Sequence, residues 1–255
     1  MTFAELRDNS SHLKMEKQAF INDTYMWVKL ARSAISDLPD DKIEFSTPKT
    51  KKPDQLRTVS RNHPEKTKER IINKDIFNSA FVLLVASVED YFSKIIEWIL
   101  KTDTKRIKCT INGVNMIDKV SVVDLIDNDK ETLIENIIKQ RLSGLFYASP
   151  QKQLEYLKSA LDIEPDEDLW GKWMEIKARR DLIVHNNGIV NQIYLNKASS
   201  FSLCSLGDEA LIDENYFKMV ISSLKSLIGK LDVEIRTKYI IKKPNQGEII
   251  NETAE

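Results

Sequence analysis

Cysteine, glycine, proline and histidine are all scarce in this chain of 255 residues. Its two cysteines, Cys109 and Cys204, lie far apart without partners at ligand spacing, which excludes a disulfide framework and a cysteine-based zinc site; both read as packing residues. Seven glycines and seven prolines are too few for a fold built on many tight turns, and with 30% charged residues they fit a helix-dominated protein. Uninterrupted apolar runs are short and broken by charge, so no membrane span is read. The opening Met1-Thr2-Phe3-Ala4-Glu5-Leu6-Arg7 meets charges at once, unlike a secretory signal, and the expected location is the cytoplasm. Only His12, His63 and His185 are available for imidazole chemistry, which limits what one subunit can do alone.

A hydrophobic share of 42% is enough for one sizeable core, and the expected organisation is a single domain over 1–240 with a disordered tail over 241–255. Apolar residues recur at helical spacing through Leu13, Phe20, Trp27, Ala31, Ala34 and Leu38, predicting a helix over about 11–38 that Pro39 ends. Residues 39–66 are polar, hold four prolines and lack periodicity, and read as a mobile loop. Between 49 and 70 the chain has eight basic residues against three acidic ones, and a second basic run comprises Arg236, Lys238, Lys242 and Lys243. Such runs can hold phosphates, though a solvated linker explains them as well.

The strongest helix spans about 70–101, where Phe77, Phe81, Leu84, Val85, Val88, Phe92, Ile95, Ile96 and Ile99 form one stripe. Glu89 sits at the edge of that stripe, and Asp90 points to its far side. Asn112-Gly113 between two short apolar runs predicts a small β-hairpin inserted over 103–120. Helices are predicted over 129–142, over 149–162 with Ser149 and Pro150 as cap and first position, and from about 164 with Asp166, Glu167 and Asp168 in the first turn. Short extended segments follow over 189–195 and around Gly207, and Asp213 caps a last helix over 214–236. Trp27 and Trp173 are read as core residues from their spacing.

Chemistry concentrates in Arg179-Arg180-Asp181-Leu182-Ile183-Val184-His185-Asn186-Asn187-Gly188. Arg180 shares a stripe with Trp173 and Ile176, where a guanidinium needs an anion or several acceptors. Asp181 and His185 stand four residues apart on one helix face, so the carboxylate could fix one ring nitrogen and leave the other as base or acid. Arg180 lies about 140° around the helix and about 7.5 Å along it from His185, so both reach one phosphate only if the helix end unwinds or the arginine reaches around.

These residues resemble the mark of the HEPN superfamily: Arg, a polar residue, a few more positions, then His, matched by Arg180, Asp181 and His185. The stretch Phe81 to Phe92 is similar to the acidic-aromatic core helix of those bundles. Leu145 to Pro150 with Leu154 to Leu157 is similar to the bacterial branch linked to RiboL-PSP HEPN proteins. The resemblance covers about 73–235. It implies an antiparallel helical bundle, a homodimer paired through the motif helix, and metal-independent cleavage of RNA with no cofactor, in a toxin or antiphage system with an antitoxin or other defence partner protein. Arg180, His185 and Asp181 would be catalytic, Asn186 and Glu89 supporting, and Arg179 and Lys177 RNA-binding. Some relatives carry a modifiable tyrosine two residues after the histidine; this chain has Asn187 there, so the resemblance does not imply that control. The competing expectations are a catalytically inactive HEPN bundle serving dimerisation, nucleotide binding or partner binding, and a helical DNA-binding protein, which would need a basic recognition helix that the sequence does not show.

Overall fold

The computed structural model describes residues 1–39, 43–61, 63–114, 116 and 120–240. It is mainly helical, with one two-stranded antiparallel sheet. In chain order come α1 (Phe3–Ser36), β1 (Ile43–Lys49), β2 (Lys52–Arg61), α2 (Pro64–Arg70), α3 (Ile76–Thr102), α4 (Val122–Asp127), α5 (Lys130–Tyr147), α6 (Pro150–Ser159), α7 (Glu167–His185), α8 (Gln192–Ala198) and α9 (Glu214–Ile240). A π-helical turn, Ile71–Asp75, joins α2 to α3.

Helix α3 is the centre of the bundle, with α1, α5, α7 and α9 packed around it. Its predicted stripe is buried throughout, with Phe81, Leu84, Val85 and Val88 fully so. At about 1.5–3 kcal/mol for each large apolar side chain removed from water, this helix supplies a large part of the folding drive. By length and composition Pro64–Thr102 could also cross a membrane, which the sequence reading did not foresee; the apolar stripe that makes it so is the core of this bundle.

Helix α1 is longer than expected and turned differently. Its buried positions are Leu6, Ser10, Leu13, Lys17, Ile21, Thr24 and Val28, whereas Trp27 is 45% exposed and Phe20 is 38% exposed. The buried face includes three polar residues, each with a polar partner. Ser10 Oγ donates to Asp232 of α9 at 2.9 Å, Lys17 Nζ lies 2.7 Å from Asp90 of α3, and Thr24 Oγ1 donates to the Phe20 carbonyl at 2.8 Å. Asp90, expected away from the core, thus ties α3 to α1.

Residues 43–61 form a β-hairpin, not a mobile loop, with Phe45 opposite Val59 and Thr47 opposite Arg57. Conversely, the hairpin expected over 103–120 is absent among the described residues. Thr104–Lys108 is a 3-10 turn extending from α3, because Arg106 donates to the Ala160 carbonyl at 2.9 Å and pairs with Asp103 at 3.0 Å. Asn112-Gly113 does make a turn, with Gly113 at φ +78°, while residues 115 and 117–119 lie outside the described residues. The helices expected over 129–142, over 149–162 and from about 164 appear as α5, α6 and α7, with Ser149 and Asp166 capping the last two. The segment 192–198 is helical, not extended, because the Asn191 side chain caps it by accepting from Tyr194 N–H at 3.0 Å. What remains of the extended segments is a single bridge between Ile189 and Glu209. Asp213 accepts from Tyr216 N–H at 2.7 Å and so starts α9. The tail 241–255, with Lys242 and Lys243, lies outside the described residues.

In the first turn of α9, Glu214 meets Lys218 at 2.9 Å, Arg32 at 2.9 Å and Lys29 at 3.1 Å. Their hydrogen bonds, Lys218 first, lower its pKa from 4.5 to about 2. A carboxylate depressed on folding stabilises the native state fully above its unfolded value and loses that contribution as pH falls through the folded one. Melting temperature should therefore fall as pH drops from 4.5 toward 2, and Glu214→Gln should flatten that fall; equal slopes for both proteins would refute the assignment.

Candidate functional site

Helix α7 carries the motif, and the Asp166 side chain starts it by accepting from Leu169 N–H at 3.0 Å, with Glu167 and Asp168 in the first turn. Phe201 lies against Gly171 so closely that a Cβ there would stand 2.1 Å from its ring, so any larger residue would displace that ring. The helix stops where Asn-Asn-Gly predicts. Asn186 N–H and Gly188 N–H both reach the Leu182 carbonyl, at 2.8 and 3.0 Å, and Asn187 and Gly188 take positive φ values of +51° and +80°. The Asn186 side chain donates to the Ile189 carbonyl at 2.6 Å, a structural contact that holds the turn.

Arg179 points into the protein, against the expectation that it binds RNA. It is 3% exposed, donates from Nε to Glu175 at 2.8 Å and from Nη1 to the Leu211 carbonyl at 3.0 Å, and lies over the Tyr216 ring at 3.9 Å. Glu175, 2% exposed, also accepts from the hydroxyls of Tyr194 at 2.7 Å and Tyr216 at 2.6 Å. Burial, then the adjacent Glu175 carboxylate, pushes Tyr194 up to about 12 and Tyr216 well above its ordinary value, so both remain donors. Burial opposes the Arg179 charge, yet Tyr216 and Glu175 together with their neighbours raise its pKa overall. Cys204 belongs to the same cluster, its Sγ accepting from Arg179 Nη2 at 3.4 Å.

Arg180 leaves α7 on another side. Its Nη2 donates to both oxygens of Glu89, at 2.9 and 2.8 Å, and its Nη1 stands 3.2 Å from Asp181. Lys177 is 7% exposed, also not an open RNA contact; its Nζ is 3.0 Å from Glu89, and Phe146 lies 5.9 Å away. Glu89 is thus the shared counter-ion of two cations, not a solvated rim carboxylate. Arg180 and Glu89 line a cleft of about 680 Å³ with Glu97, Lys139, Phe146 and Tyr147.

His185 lines a different cleft, of about 480 Å³, together with Asp181, Asn186, Asn191, Tyr194 and Lys197. Its side chain is exposed, and among the described residues nothing bonds to its ring. The expected Asp181–His185 hydrogen bond does not form, because Lys197 of α8 takes the carboxylate at 2.8 Å while Arg180 holds its other oxygen. Within one chain Arg180 and His185 therefore do not converge on one point; Asp181 links their two clefts.

The sequence reading missed Lys197, since α8 was read as extended, although Asn191 as a cap was a legible signal. It also missed Glu175, whose spacing of four from Arg179 marks an intrahelical pair. His63 is exposed at the start of α2, 3.7 Å from Glu65. Of the second basic run, Arg236 pairs with Asp232 at 3.1 Å and Lys238 with Asp162 at 3.1 Å. Trp170 and Trp173 are both buried. No group of three His, Cys, Asp or Glu that could hold a metal ion occurs among the described residues. Comparison of the chain with family models, curated proteins and solved structures found no match.

Removing one partner from a buried ion pair leaves an uncompensated charge, which costs about 3–5 kcal/mol. Glu175→Ala should cost that much in chemical denaturation, whereas Asp181→Ala, in a partly exposed pair, should cost under about 1 kcal/mol. Equal losses would show that the Glu175 cluster is not what holds α7, α8 and α9 together.

Proposed function

We propose that this chain is a HEPN-type endoribonuclease, metal-independent and cytoplasmic, that works as a two-fold dimer joined near the end of α7. The observation that carries the proposal is the cleft holding an unpartnered, exposed imidazole beside a carboxylate, an ammonium and two amide side chains. A dimer is favoured by the surroundings of His185. Val184, Ile189 and Ile193 are 50%, 42% and 63% exposed, and exposed apolar residues clustered at a polar cleft suit a protein interface.

RNA cleavage joins the 2′-oxygen to phosphorus and breaks the bond from phosphorus to the 5′-oxygen. One His185 imidazole takes the 2′-hydroxyl proton, and the second copy's imidazolium returns a proton to the departing oxygen. The products are a 2′,3′-cyclic phosphate and a 5′-hydroxyl. Arg180 keeps Glu89 and turns Nη1 from Asp181 to the phosphate, where its charge stabilises the crowded transition state. DNA lacks the attacking hydroxyl and survives. Such an enzyme suits a toxin or antiphage effector restrained or triggered by a partner protein.

A second reading, a catalytically inactive HEPN bundle that binds a partner, is favoured by one observation: Arg180 is already neutralised by Glu89 and Asp181. The two are separated by incubating purified protein with labelled single-stranded RNA in excess chelator. Cyclic phosphate ends are expected, with His185→Ala and Arg180→Ala each slowing cleavage by about 100-fold or more. Absence of cleavage, or cleavage by both variants at the wild-type rate, leaves the inactive bundle. Expression in cells should slow growth, and His185→Ala should restore it.

A further inference from the structure

The β1–β2 arm is not needed for the chemistry at His185, yet its construction demands an explanation. From Ser46 to Val59 every side chain is exposed except Thr47 and Val59, which are half-buried, and Leu56 is 60% exposed. A two-stranded ribbon without a core is marginal by itself, so this one depends on its root. Lys68 of α2 donates to the Leu38 carbonyl at 2.7 Å, which fastens the outgoing end of the arm to the end of α1.

Charge on the arm is one-sided. Between Ser46 and Val59 it has Lys49, Lys51, Lys52 and Arg57 against Asp54 alone. Lys49 donates to the neutral Gln55 side chain at 3.3 Å, and no described carboxylate pairs with Lys51, Lys52 or Arg57. Elsewhere in the fold lysines and arginines are repeatedly tied to acids, as at Glu89, Asp181, Glu214 and Asp232.

The arm's root also leads to the motif. From Pro64 the chain runs helically through the π turn to Lys74, which pairs with Glu209 at 2.6 Å and shares a depression with Asn78, Asn187 and Gly188, the residues just after the His185 turn. Helix α2, Pro64–Arg70, is about 10 Å long at 1.5 Å per residue, and a strand of β1's length is about 23 Å long. We infer that the arm is a clamp for the phosphate backbone of RNA, gripping the strand that flanks the scissile phosphate.

The inference rests on the ribonuclease reading only for where the RNA lies. Cations without a carboxylate partner among the described residues, interleaved with Thr, Ser and Gln, suit contact with successive phosphates without reading bases. A membrane-docking arm would instead need an apolar tip, and between Ser46 and Val59 only Leu56 and Val59, apart from the prolines, are apolar.

The test uses the full chain, a fluorescent 20-nucleotide RNA with 2′-O-methyl groups that cannot be cleaved, and anisotropy over a range of salt. For single strands, log affinity falls against log salt with a slope of about 0.7 per phosphate contact. Replacing Lys49, Lys51, Lys52 and Arg57 together by Gln should lower that slope by about 2 to 3 and weaken binding at least tenfold at low salt, with an unchanged thermal midpoint. An unchanged slope overturns the inference. So does a variant that keeps RNA binding but loses binding to phosphatidylserine vesicles, which would assign the arm to a membrane. Lost RNA binding in the variant, combined with no cleavage of ordinary RNA by the wild type, sustains the clamp and removes the nuclease.

Discussion

A carboxylate almost without access to water holds the motif region in its shape. Glu175 accepts from one guanidinium and two phenols, and each donor comes from a different place: Arg179 on α7, Tyr194 on α8 and Tyr216 on α9. A buried carboxylate tolerates so little water only if its lone pairs are filled, so α8 and α9 are obliged to approach α7 at this level. The apolar residues Ala178, Leu182, Val190, Tyr194, Ala198 and Ala210 pack beneath the same junction. Docking α8 here creates the cleft with Lys197 and His185, so the geometry of the candidate site follows from an interaction that takes no part in its chemistry.

Adjacent arginines show how strongly position decides function. Arg179 and Arg180 have the same chemistry, but successive helical residues are turned by about 100°, and one enters the Glu175 cluster while the other reaches Glu89. From α3 to α8 charges then alternate along Glu89, Arg180, Asp181 and Lys197, with Lys177 also on Glu89. Because Arg180 and Lys197 are both paired with Asp181, the phosphate contact proposed for this site would have to be an exchange of partners, in which Asp181 gives up one cation and keeps the other.

Legibility in the sequence followed from whether burial was apolar. Helix α3 was plain because its hidden face is Phe, Leu, Val and Ile; α1 was assigned the wrong face because Ser10, Lys17 and Thr24 are buried with polar partners contributed largely by other helices. The arm escaped notice since a ribbon whose side chains from Ser46 to Val59 are nearly all exposed has no reason to alternate apolar and polar residues, and its prolines, Pro48 and Pro53, can sit in a two-stranded sheet whose strands are both edges. Asn112-Gly113 gave a correct turn but an incorrect hairpin, because Arg106 is drawn to the Ala160 carbonyl in a contact that no local pattern reveals. At the motif, caps and the Asn-Asn-Gly stop were readable. The separation of Arg180 from His185 was foreshadowed by helical geometry, whereas the capture of Asp181 by Lys197 depends on a tertiary contact.

The division of labour across the chain follows from these constraints. Helices α1, α3 and α9 spend their apolar faces on one another, and polar groups buried between them are paired across helices, as Ser10 is with Asp232 and Lys17 with Asp90. Among the described residues, groups without a partner gather elsewhere: His185 and the apolar residues around the end of α7, and Lys51, Lys52 and Arg57 of the arm. Lys74, in the π turn that follows α2, pairs with Glu209 and lines a depression with Asn187 and Gly188 of the turn after His185. A polyanionic strand that crosses the His185 cleft and a second copy that covers it would each satisfy what the single chain leaves open, and the two demands are compatible because the arm precedes α2 while the exposed apolar residues stand on α7, α8 and the segment between them.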